Sequence, residues 1–205
     1  TKDVYGGTTN YFSKIIRERG VEVNFCDFSD HEKLKSLLND KTKLAWVESP
    51  SNPSMNLYDL QKTADIVHSH ETLLVADSTF STPFITRPLE HGVDIIMHST
   101  TKYIGGHSDT LGGAVVTQDP ELHEELMLYQ HQGGAIMSPF DSYLVQRGLY
   151  TLGPRIKLHS ENAHKLAEYL DSSEYIKEVR YPGLENYPNH EIAVKQMDYF
   201  GGMLS

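Results

Sequence analysis

Four short apolar runs constrain this chain most. Lys43–Val47, Thr72–Ala76, Asp94–Met97 and Ala114–Thr117 set apolar residues in succession instead of alternating them with polar ones. Runs of this kind read as strands covered on both faces, as in a parallel sheet. Helical spacing fills the intervals. Leu34, Leu37 and Leu38 after Asp30 predict a capped amphipathic helix over 31–39. Leu57, Leu60, Ala64 and Val67 predict another over 57–70. Val21–Cys26 is short and β-branched and predicts a further strand. Strands alternating with helices predict an α/β architecture with a mostly parallel sheet between helices.

Beyond Pro120 the pattern turns helical, with helices predicted over 121–130, 139–149 and 155–170 and a strand over Ile176–Tyr181. A soft boundary falls at Leu152-Gly153-Pro154, dividing a larger region, 1–152, from a helix and a second region, 153–205. The chain opens at Thr1 and stops at Gly202-Met203-Leu204-Ser205, which reads as the start of a strand. A piece of a longer polypeptide, cut on both sides, is therefore expected.

Composition narrows the function classes. With 18 basic against 28 acidic residues, the net charge of −10 argues against nucleic acid or an anionic membrane as partner. No apolar run approaches the ~20 residues that span a bilayer. Cys26 is the only cysteine, so no intrachain disulfide forms, and a reducing, cytoplasmic setting is expected. No Gly-x-Gly-x-x-Gly follows a strand, which argues against a nicotinamide-binding enzyme. The histidines form no His-Glu-x-x-His, and no metal site is expected.

In open α/β sheets, ligands gather at the carboxyl ends of the strands. Asn52, Asp77 and Lys102 stand just beyond such ends. Taken singly, Asp77 reads as a helix cap or ion-pair partner and Lys102 as a surface lysine. The setting of Lys102 says more. Ser99, Thr100 and Thr101 precede it and Gly105-Gly106 follow, so a lysine is held at a strand end among hydroxyls ready for an anion.

The fifteen residues from Asp94 to Ser108, DIIMHSTTKYIGGHS, resemble the cofactor-attachment signature of the pyridoxal-phosphate enzymes of Cys/Met metabolism, the trans-sulfuration enzymes. Val4-Tyr5-Gly6-Gly7-Thr8, Glu48-Ser-Pro-Ser-Asn52-Pro, Val75-Ala76-Asp77-Ser78-Thr79-Phe80, Ser138-Pro139-Phe140-Asp141, Arg147-Gly148-Leu149 and Tyr181-Pro182-Gly183-Leu184 resemble other segments of that family, in the same order. The resemblance implies a fold-type-I large domain over 1–152 and the start of a small domain after it. It implies pyridoxal 5'-phosphate as cofactor, an amino-acid substrate and a homotetramer. Lys102 would hold the cofactor covalently and move protons. Asp77 would sit on the pyridinium nitrogen and Tyr5 against the ring. Asn52 would bond the ring oxygen, and Ser99 and Thr101 the phosphate.

Within the family the likeness is greatest to the cystathionine γ-lyases, which implies α,γ-elimination of L-cystathionine, with γ-synthase-type replacement next. Gly7, where methionine γ-lyases carry Cys, and the Tyr5-Gly6-Gly7-Thr8 turn, which bacterial β-lyases usually lack, argue against those two. A non-catalytic cofactor-binding homologue is the alternative from another class, but it would be expected to lose Lys102 or Asp77. Two positions depart from the family pattern. Ser78 stands where Asn is usual and is expected still to hydrogen-bond, and Thr9-Asn10 replace a segment that commonly carries Arg.

Overall fold

The computed structural model describes all residues, 1–205. Four strands form one sheet in the order β1 (Leu44–Glu48), β2 (Leu73–Asp77), β3 (Ile95–Ser99), β4 (Gly113–Thr117). The first two pairings are parallel and β3–β4 is antiparallel, so the sheet is mostly parallel, as the continuous apolar runs predict. Register sets Glu48 beside Asp77, and Asp77 beside Met97. The C-terminal ends of β1, β2 and β3 therefore share one edge of the sheet.

Helices start where a side chain satisfies the free N–H groups of a first turn. Asp30 accepts from Lys33 N at 3.0 Å and opens α2 (His31–Leu37). Asp59 accepts from Lys62 N at 3.1 Å and opens α3 (Leu60–His68), so that helix begins three residues later than the apolar spacing predicts. Its buried Leu60, Ala64 and Val67 pack with Leu34, Val47 and Leu74 in the core on one side of the sheet. The C-terminal helices are α5 (Pro120–Gly133), α6 (Pro139–Leu149), α7 (Leu152–Asp171) and α8 (His190–Gln196); a short α4 (Thr82–Ile85) follows β2. Ile156, Ala163 and Ala167 of α7 pack with Ile85, Ile104 and Val145 in a second core. That core draws on residues from both sides of 152/153, and α7 runs unbroken from Leu152.

Two predicted strands do not form. Val21–Cys26 pairs with no strand; Lys2 N donates to Cys26 O at 2.7 Å, and the Arg17 guanidinium donates to Val23 O. Ile176–Tyr181 is likewise unpaired except at Arg180, which exchanges two backbone hydrogen bonds with Ser205. Gly202–Ser205 forms no strand beyond that exchange. β-branched composition marks a segment able to extend, whereas a ladder needs a neighbour in register. The N-terminal helix α1 (Gly6–Asn10) continues through a π-helical stretch, Tyr11–Ile16, into a 3₁₀ turn, Arg17–Arg19. Mid-helix pitch changes of this kind recur at functional sites.

The β3–β4 connection, 100–112, is tied at its base. Thr100 N donates to Gly112 O at 3.0 Å, and Thr101 Oγ1 accepts from Gly112 N at 3.0 Å. Inside the loop, Gly105 N donates to Thr100 O and Gly106 N to Lys102 O, both at 2.8 Å.

Candidate active site

A cleft of about 1440 Å³ opens at the C-terminal edge of the sheet. Tyr5, Asn52, Asp77, Ser99, Thr101 and Lys102 all line it. Strand ends, the loop after β3 and the turn before α1 thus bring all six predicted side chains to one place.

Asp77 closes β2 and is 5% exposed. Burial pushes its carboxyl above the usual range, partly opposed by hydrogen bonds from Thr79, whose N–H donates to Asp77 Oδ1 at 3.0 Å. Thr79 Oγ1 in turn accepts from Ser99 N at 2.8 Å, which ties the end of β2 to the end of β3. Lys102 is exposed on the cleft wall and enters none of the ion pairs of the protein. Its loop is held from behind by Arg155 on α7. That guanidinium donates to Tyr103 O at 2.7 Å and to Gly148 O at 2.9 Å, with burial pulling its pKa down.

Tyr5 precedes α1 with 57% of its surface exposed. A Cβ at position 7 would lie 2.4 Å from its ring, so Gly7 is what lets the ring stand where it does. Two parts of the sequence reading change. The Thr101 hydroxyl, expected on the phosphate, is already engaged with Gly112, accepting its N–H and donating to its carbonyl at 3.3 Å. The Ser78 hydroxyl is buried without any partner, so Ser78 supplies no hydrogen bond in place of the usual Asn.

Sequence reasoning passed over Glu48 and Thr79. Glu48 closes β1 beside Asp77, is 5% exposed, and has its carboxyl pushed up to about 7, chiefly by burial and also by the neighbouring Asp77 charge. The strand-end rule that found Asp77 applies equally to Glu48, but the loop motif drew attention to Asn52 instead.

The cleft suits a planar aromatic cation carrying an aldehyde and an anion. A buried carboxylate there lacks a cation, an aromatic face stands exposed at the mouth, and an amine is free on the wall.

A sequence model of the Cys/Met metabolism PLP-dependent enzymes matches residues 1–205. The chain is 50% identical over 205 residues to a Coxiella burnetii protein named cystathionine beta-lyase, covering 99% of the chain and 53% of that protein. It is 42% identical over 203 residues to a cystathionine gamma-synthase of Mycobacterium leprae, covering 99% of the chain and 52% of that protein. The solved structure of a cystathionine gamma-lyase from Lactobacillus plantarum, complexed with L-serine, superposes with a TM-score of 0.97 at 37% identity, covering 99% of this chain and 53% of that one. The chain spans about half the length of the curated relatives it matches. The Tyr5-Gly6-Gly7-Thr8 turn therefore does not exclude the β-lyases, since a relative bearing that name shares half of the aligned residues. The chain belongs to the Cys/Met-metabolism family of PLP-dependent enzymes and has its fold-type-I α/β architecture; its cofactor is pyridoxal 5'-phosphate.

Proposed function

We propose that this family member is a carbon–sulfur lyase acting on L-cystathionine, by α,γ-elimination to L-cysteine, 2-oxobutyrate and ammonia with uptake of one water. The convergence of Lys102, Asp77 and Tyr5 on one cleft carries the reading. The same convergence argues against a non-catalytic cofactor binder, which has no need to keep both an attachment lysine and a buried carboxylate.

When bound, pyridoxal phosphate supplies an electron sink for negative charge developing on the substrate. The side chains divide the remaining work. Lys102 would hold the cofactor covalently and, when free, would carry a proton on Nζ between substrate carbons. Asp77 would hold the proton of the cofactor's ring nitrogen, and Thr79, donating to Oδ1, favours the ionised carboxylate against its burial. Tyr5 would cover the ring and Asn52 would hydrogen-bond its oxygen. Ser99 would bind the phosphate; Thr101 would contribute there only by releasing Gly112 O. We read 1–152 as most of the cofactor-binding domain and 153–205 as a linking helix and the opening of the small domain. We read the assembly as a cytoplasmic homotetramer; apolar side chains left exposed on α5 and β4, such as Leu128, Tyr129 and Val115, support their burial against another surface.

A second reading, α,β-elimination to L-homocysteine, pyruvate and ammonia with uptake of one water, is favoured by the relative at 50% identity named cystathionine beta-lyase. Incubation of the PLP-loaded protein with L-cystathionine separates the two. 2-Oxobutyrate with cysteine supports the first, and pyruvate with homocysteine replaces it by the second. Absence of either keto acid, with cystathionine formed instead from cysteine and an activated homoserine ester, replaces both by γ-synthase-type chemistry.

A further inference from the structure

Glu48 is a buried carboxylate without a cation, and such a group is costly unless its oxygens are fully engaged. Both are. Oε2 accepts the backbone N–H of Tyr5 at 2.8 Å, and Oε1 accepts the backbone N–H of Asn52 at 2.7 Å. The two donors come from segments far apart in sequence, the turn before α1 and the loop after β1. In both cases the donating residue is one whose side chain lines the cleft. The only other hydrogen bond on the Tyr5 backbone is the one its carbonyl accepts from Thr9 N at 3.1 Å as α1 begins. Its ring is exposed, and it stands at the N-cap of α1 without a side-chain cap of its own. The direction of its Cα–Cβ bond is therefore set by the backbone that Glu48 holds. Glu48 itself is fixed as the last residue of β1, in register with Asp77.

We propose that Glu48 is a positioning residue that clamps the Tyr5 and Asn52 amides to the end of β1, so that ring and carboxamide are presented to the cofactor together with Asp77. The proposal rests on the reading of this cleft as the pyridoxal-phosphate site. It assigns Glu48 no contact with the cofactor; Glu48 acts through the two residues it holds.

The test uses Glu48→Gln and Glu48→Ala. Gln keeps the shape and one acceptor but turns an NH2 group toward one of the two donors; Ala removes both acceptors. Amide hydrogen exchange at Tyr5 and Asn52 is measured in the cofactor-free protein. Pyridoxal-phosphate affinity and the circular dichroism of its bound visible band are measured in the loaded protein. In Glu48→Gln, with unchanged far-ultraviolet circular dichroism, exchange at one or both amides is expected to quicken by about tenfold or more. Cofactor affinity is expected to weaken by about tenfold and the dichroic band to shrink, since charge-assisted hydrogen bonds are lost. Unchanged exchange at both amides in Glu48→Gln would overturn the clamp, whatever the fate of Glu48→Ala. Faster exchange with affinity and dichroism as in the parent would overturn the positioning role. If the parent binds no pyridoxal phosphate, the reading of the cleft fails, while the exchange arm still decides the clamp.

Discussion

Gly148→Ala sets a local gain against a packing loss, and the structure decides which prevails. Gly148 lies in α6 where the helix crosses the loop that follows Lys102. A Cβ there would fall 2.3 Å from Gly105 O, 2.5 Å from Ile104 O and 2.9 Å from Gly105 C, where ordinary contact begins near 3.4 Å. Replacing an interior helical glycine with alanine gains about 1 kcal/mol in helix propensity. Overpacking costs roughly 1–3 kcal/mol, sometimes more. The obstructing atoms are backbone, held by Gly105 N to Thr100 O at 2.8 Å and by Arg155 to Tyr103 O at 2.7 Å, so the upper end applies. A net loss of about 2 kcal/mol follows, or a fall in Tm of about 4–8 °C for a chain of this size. Because the displaced peptides lie just past Lys102, bound cofactor should fall as well. Gly133→Ala is the control. Nothing lies within 4 Å of its added Cβ, so it should be neutral or gain up to about 1 kcal/mol. Thermal unfolding of both variants, with cofactor content read from the visible band, makes the comparison. A Gly148→Ala protein as stable as Gly133→Ala would refute the claim that this helix crossing requires glycine.

Other outcomes follow from the same site. Borohydride reduction of the loaded protein and peptide mapping should place the cofactor on Lys102, and Lys102→Ala should lose the visible band; a label on another lysine would remove the assignment. Asp77→Asn should fold normally yet lose turnover by about a hundredfold, because a neutral partner no longer favours a protonated pyridinium; near-parental turnover would contradict that role. Glu48 titrates near pH 7 in the folded protein against 4.5 as its ordinary value. Between those values the unfolded chain binds fewer protons than the folded one, so stability falls as pH rises through this window. The loss is at most about 3 kcal/mol, and Glu48→Gln should abolish it. Urea midpoints of the cofactor-free protein at about pH 5 and about pH 8 check the sign, and a parent more stable at the higher pH with Glu48→Gln unchanged would contradict it.

The sheet was legible because its strands are covered on both faces and so carry uninterrupted apolar runs. The starts of α2, α5 and α6 were legible to within a residue, whereas α3 begins at its Asp59 cap, three residues past the start that apolar spacing suggested. Val21–Cys26 and Ile176–Tyr181 show the limit, since composition reports a segment's ability to extend but not whether a partner strand lies beside it. In the site, Asp77 and Lys102 were found because position after a strand constrains them locally. Glu48 escaped notice because what distinguishes it is two backbone donors, from Tyr5 and Asn52, which only the folded chain brings together. Ser78 was misjudged, and the Gly112 bonds of Thr101 went unseen, for a related reason. Hydroxyl identity is visible in a sequence, whereas the partner is not, and the fold leaves one without a partner and gives the other to Gly112.

The cross-tied base of the 100–112 loop separates two rates of evolutionary change. Lys102 stands two residues inside ties to Gly112, while Gly106, Ser108 and Asp109, on the far side of the same loop, also line the cleft. An exchange at 107–109, beyond the Gly106 N to Lys102 O bond, can reshape this wall of the cleft, and the ties keep the shift from reaching the lysine. Descendants of one scaffold can then drift in clientele while their chemistry stays anchored. Relatives named beta-lyase, gamma-lyase and gamma-synthase around a single fold are the kind of lineage such a partition permits.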